Sequence, residues 1–131
     1  MKIGGTPYRT IWPNADGWSV TVIDQTALPH RFETMTLQSA GDCAQAIRAM
    51  VVRGAPLIGA TAAYGLAMAL RADPSDASLA AASALLAETR PTAINLRWAL
   101  GEVAAAVRDL PHAERAAAAY ARAARLCEDD V

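Results

Sequence analysis

Val52-Arg53-Gly54-Ala55-Pro56-Leu57-Ile58-Gly59 opens the longest apolar run of the chain, Pro56 to Leu70. Proline is favoured at the first helical position, where its missing N–H would have had no intrahelical partner, so a helix is expected to begin at Pro56. The run is interrupted only by Thr61, Tyr64 and two glycines and is apolar almost all round. It is too short for a membrane span and reads as the central buried helix of a bundle.

Working outward, Ile47, Met50 and Val51 recur at helical spacing behind a cap at Asp42, which predicts a first helix over about 42–52. Downstream, Asp73-Pro74-Ser75 breaks the chain before a third helix, Ser78 to Glu88. Arg90-Pro91-Thr92 breaks it again, and Thr92 can cap a fourth helix through Leu96, Trp98, Leu100 and Val103 to Val107. Pro111 precedes a fifth, about 112–127, rich in Ala and Arg.

Residues 1–40 differ in kind, with Ala15, Ala27 and Ala40 as their only alanines. Tyr8 to Trp12 and Trp18 to Asp24 alternate as strands do, and the Asp16-Gly17 pair between them indicates a hairpin. Arg31 to Leu37 can add a third strand, and such a sheet needs a helix over one face. The expected fold is therefore α+β: a small antiparallel N-terminal sheet of about three strands in residues 1–40, then about five helices in a helical subdomain, 41–131.

The chain has 131 residues, 53% of them hydrophobic, and a net charge of −1. The charge balance argues against nucleic acid as a partner, since no basic excess or cluster is present. The first residues lack a signal core and no run approaches membrane-span length, so neither export nor a membrane partner is expected. Cys43 and Cys127 have no metal-ligand spacing and fit reduced thiols in a cytoplasmic protein. His30 and His112 have no histidine or carboxylate at ligand spacing, so no metal site is expected. Trp12, Trp18 and Trp98 are most simply core anchors. Asp24 and Gln25 end a strand, where Asp typically closes a turn.

Two segments could carry chemistry. Arg53 and Gly54 sit just ahead of the Pro56 helix, whose free N–H groups and dipole favour an anion. Glycine admits a ligand close to the backbone, and a guanidinium fork fits phosphate oxygens. Arg90 stands in the same relation to the fourth helix, and two such arginines could clamp one phosphate. On physical grounds alone the plainer reading is a glycine turn with an exposed arginine at 53, a solvated loop cation at 90, and Asn95 as a helix-start hydrogen bonder.

The segments Tyr8-Arg9-Thr10-Ile11-Trp12, Ile23-Asp24-Gln25-Thr26 with Leu28-Pro29, Met50 to Gly59, and Arg90-Pro91-Thr92-Ala93-Ile94-Asn95-Leu96 with Trp98-Ala99 resemble the methylthioribose-1-phosphate isomerases of methionine salvage. That family is related to ribose-1,5-bisphosphate isomerases and to regulatory subunits of the translation-initiation exchange factor, which are the alternative readings. The Arg-Gly-Ala-Pro and Arg-Pro-Thr-Ala-x-Asn-Leu segments are the specific part of the match.

The resemblance implies that Arg53, Gly54, Ala55 and Arg90 bind a sugar-phosphate substrate. It also implies an aldose–ketose isomerisation of 5-methylthioribose 1-phosphate to 5-methylthioribulose 1-phosphate, with no cofactor. The family's catalytic cysteine and aspartate belong to a C-terminal Rossmann-like domain that nothing in this chain matches. No catalytic residue is therefore assigned here, and the chain reads as the N-terminal domain of a longer isomerase, inactive alone and a homodimer when full length.

Overall fold

The computed structural model describes residues 2–3, 6–7, 11–16, 18–23, 34–49, 55–90 and 93–129. Among them, β1 (Lys2–Ile3) pairs antiparallel with β2 (Thr6–Pro7), a ribbon not anticipated from the sequence. A three-stranded antiparallel sheet follows in the order β3 (Ile11–Pro13), β4 (Val20–Ile23), β5 (Thr34–Leu37). These fall on the three expected strands: β3 runs one residue further, to Pro13; Trp18 and Ser19 precede β4; and residues 8–10, 24 and 31–33 lie outside the described residues. The register sets Ile11 opposite Val22 and Val20 opposite Leu37. Ile11, Val20, Val22 and Leu37 thus share one face and join the helical core.

The β3–β4 turn is tied down by polar side chains. Asp16 Oδ1 accepts the N–H groups of Trp18 and Ser19, each at 2.9 Å, and Asp16 Oδ2 accepts the Ser19 hydroxyl at 2.5 Å. These bonds, led by that from Ser19, hold the Asp16 carboxyl below its ordinary pKa. Thr21 donates to Asn14 Oδ1 at 2.7 Å, closing the network. Gly17, Asp24, Gln25 and His30 lie outside the described residues.

Five helices follow: α1 (Ala40–Arg48), α2 (Ala55–Ala72), α3 (Asp76–Ala87), α4 (Ile94–Val107) and α5 (His112–Asp129). The α1 cap is Ser39, not Asp42: the Ser39 hydroxyl oxygen accepts the Asp42 N–H at 3.0 Å, while the Asp42 carboxylate accepts the Gln38 N–H. Ser39 thus serves the Asp42 N–H while Asp42 serves the N–H of the residue before Ser39, and the extended backbone of Ser39 decides that it is the cap. Ser75 caps α3 in the same way. The α4 cap position falls on Ala93, one residue after the expected Thr92, which lies outside the described residues.

The expectation for α2 holds. It touches each of the other four helices, and from Leu57 to Leu70 only Ile58 and Ala69 are not fully buried. The sheet is held to this bundle by the Tyr120 hydroxyl, which donates to the Trp18 carbonyl at 2.6 Å, and by the Arg71 guanidinium, 4.3 Å from the Trp18 ring centroid. Partial burial pushes the Tyr120 hydroxyl up to about 12, so it stays a donor throughout the neutral range.

Arg115 is only 4% exposed. Its guanidinium donates to the carbonyls of Leu110, Pro74 and Arg108 at 3.2, 3.0 and 3.1 Å and to Asp76 Oδ1 at 2.7 Å. One side chain on α5 thereby gathers the α2–α3 connection, the start of α3 and the end of α4.

Candidate functional site

Gly59, in the second turn of α2, sets the position of α4. A Cβ there would lie 3.3 Å from the Asn95 carbonyl oxygen and 3.4 Å from Ala99 Cβ, so glycine lets the two helices approach with backbone nearly against backbone. Asn95 is the second residue of α4, and Gly59 is four residues, about 6 Å, from the α2 start. The first turns of α2 and α4 are therefore neighbours.

These two starts share an electrostatic feature. Helices α1, α3 and α5 each carry an acid in the first turn, Asp42, Asp76 and Glu114. Helices α2 and α4 carry none, and Ala93 gives α4 no side-chain cap bond. A helix start holds unpaired N–H groups and the positive end of the dipole, which an acid or a capping oxygen normally complements. Two adjacent starts without an acid suit an external anion.

Of the residues expected to bind one, Arg90 is half-buried just ahead of α4, where its carbonyl accepts the Ala93 N–H at 3.0 Å. Ala55 is the first residue of α2. Arg53 and Gly54 lie outside the described residues.

Beside the starts is a cleft of about 320 Å³. Gly59 and Ala60 of α2, Ile94, Asn95, Trp98 and Ala99 of α4, and Leu126 of α5 line it. Trp98 is a correction: it is 52% exposed, and Ile94 81%, so it anchors no core. The periodicity held the signal. Leu96, Ala99, Leu100, Val103 and Val107 make the buried stripe of α4, and Trp98, two residues from Leu96, falls about 200° from it.

Cys43 is buried between α1 and α2, its Sγ 3.9 Å from Met68 Sδ. Burial pushes its thiol pKa far up, so at neutral pH it is a packed thiol and not a nucleophile. The Cys127 side chain lies outside the described residues. Among the described residues no group of His, Cys, Asp and Glu is placed to hold a metal ion, and no helix is long and apolar enough to cross a membrane.

Comparison with known proteins adds to this geometry. The methylthioribose-1-phosphate isomerase of Methylorubrum populi is 63% identical over 131 residues, the whole of this chain. Along its whole length the chain is similar to a methylthioribose-1-phosphate isomerase. It spans 36% of the length of that relative.

Two crystal structures share the fold of this chain. The translation initiation factor eIF-2B subunit delta from A. fulgidus has a TM-score of 0.84 at 32% identity, over 95% of this chain and 38% of that one. The 5-methylthioribose 1-phosphate isomerase from Pyrococcus horikoshii OT3 has a TM-score of 0.82 at 32% identity, over 92% of this chain and 36% of that one. No family model matches the chain.

Proposed function

We propose that this chain forms the sugar-phosphate-binding part of a methylthioribose-1-phosphate isomerase, with Arg53, Gly54, Ala55 and Arg90 at the substrate. The observation that carries this is the pair of adjacent helix starts lacking acids, with Arg90 ahead of one and Arg53-Gly54 ahead of the other. Phosphate oxygens would accept from the N–H groups of the first turns and from the guanidinium forks. Residues 1–40 and 41–131 act as the two subdomains of this unit.

The reaction moves hydrogen between C1 and C2 of a sugar whose C1 bears the phosphate, so the ring must open without a free aldehyde. That demands an acid and a base placed within hydrogen-bond reach of the sugar. Cys43 is buried with a raised pKa and supplies neither. We assign those groups to the part of the longer relatives that this chain does not match, so that the chain binds without turnover. The same reading carries a cytoplasmic location and, for a protein of the relatives' length, a homodimer.

A regulatory role of the initiation-factor kind is the second reading, supported by the TM-score of 0.84. Identity favours the isomerase, 63% over the whole chain against 32% for the initiation-factor subunit.

Arg53→Ala and Arg90→Ala should each weaken binding of 5-methylthioribose 1-phosphate by about 1.5–3 kcal/mol, roughly 10- to 150-fold, the scale of a charge-assisted hydrogen bond. Isothermal titration measures this directly. Wild-type affinity in both variants would remove the phosphate assignment.

A further inference from the structure

The phosphate reading uses the two helix starts and leaves the neighbouring cleft without a role. Ile94 and Trp98 are large apolar side chains that remain 81% and 52% exposed, and they line the cleft together with Gly59, Ala60 and Leu126. Asn95 is the polar residue among those that line it. The lining mixes these apolar side chains with polar atoms in nearly equal measure, which suits a polar ligand that carries a small apolar substituent.

Its position is as informative as its lining. The cleft begins in the first turn of α4 and the second turn of α2, about one helical turn, roughly 5 Å, from the starts where the phosphate would sit. A ribose ring bridges a gap of that order, with its phosphate at one end and the group on C5 at the other. The relatives' substrate name describes such a molecule, a ribose phosphate bearing a methylthio group. Thioether sulfur packs favourably against aromatic rings, and Trp98 offers an indole only half-covered by protein.

Resting on the phosphate reading above, we infer that the cleft between α2, α4 and α5 holds the apolar C5 substituent of the sugar phosphate, and that Trp98 is a specificity-determining residue. It selects an alkylthio group over a hydroxyl or a second phosphate, because leaving water against the indole is favourable for the apolar group and costly for the polar ones. Gly59 lets α2 and α4 stay close beside the cleft, since a side chain there would meet the α4 backbone.

The test is calorimetric titration of the 131-residue chain and its Trp98→Ala and Trp98→Phe variants with 5-methylthioribose 1-phosphate and with ribose 1-phosphate. Trp98 is half-exposed, so its truncation leaves the core intact, and circular dichroism verifies that. Wild type should prefer the methylthio ligand by about tenfold, the scale of burying one such group. Trp98→Ala should abolish that preference, bringing the two ligands' affinities within about twofold of each other, and Trp98→Phe should restore most of it. Equal affinities in the wild type, or a preference that survives Trp98→Ala, would overturn the inference and leave the phosphate site standing. Failure of both ligands to bind would overturn the phosphate reading and this inference with it.

Discussion

Replacing Arg115 by alanine is expected to lower the stability of the fold by about 3–4 kcal/mol, close to the sum of its lost hydrogen bonds at about 1 kcal/mol each. The ion pair itself adds little, because the Asp76 side chain is 84% exposed and its charge is solvated. The loss comes from the Leu110, Pro74 and Arg108 carbonyls, which lose a charged donor where three chain segments converge. Urea unfolding followed by circular dichroism measures it. Asp76→Ala is the control and should cost less than about 1 kcal/mol. Equal effects of the two substitutions would show that Arg115 acts through its salt bridge instead.

The second large effect concerns two glycines within helices. At Gly65 a Cβ would fall 2.9 Å from Cys43 Cβ and 3.3 Å from Leu86 Cδ1, so α1 and α2 touch only because no side chain stands there. Gly65→Val should destabilise by about 3 kcal/mol, as overpacking a filled core does. At Gly101 nothing lies within 4 Å of an added Cβ. Gly101→Ala should therefore stabilise by roughly 0.5–1 kcal/mol through helix propensity alone. The opposite signs separate packing from propensity in one unfolding series, and a neutral Gly65→Val would mean that α1 can shift away from α2 at little cost.

Much of the fold could be read from local chemistry. Pro74 and Pro111 stand where the structure breaks between helices, and the apolar run after Pro56 is the buried central helix. Alternation around Asp16 and Gly17 located the hairpin. What escaped depended on partners distant in sequence. Arg115 looks like one more cation in an Ala- and Arg-rich helix, and nothing local shows that the Pro74 and Arg108 carbonyls converge on it. The ribbon of β1 and β2 has two residues per strand, too few for any period to register.

The candidate site divides in the same way. A helix start and a guanidinium are local features that mark Arg53, Gly54 and Arg90 as candidates, and it is the family resemblance that assigns them, with Ala55, to the substrate. That the starts of α2 and α4 are neighbours is tertiary, and follows from the close approach at Gly59. The cleft was missed because Trp98 was read by residue type as a core anchor, although its helical phase places it opposite the Leu96 stripe.

The most direct measurement of the central proposal, that two adjacent helix starts hold a sugar phosphate, is isothermal titration of the 131-residue chain with 5-methylthioribose 1-phosphate. The same samples would be assayed for ketose product, and the Arg53→Ala/Arg90→Ala double variant run in parallel. The expected result is one binding event per chain, no product, and loss of the event in the double variant. Absence of binding to the wild-type chain, or binding that the double variant retains, would contradict it.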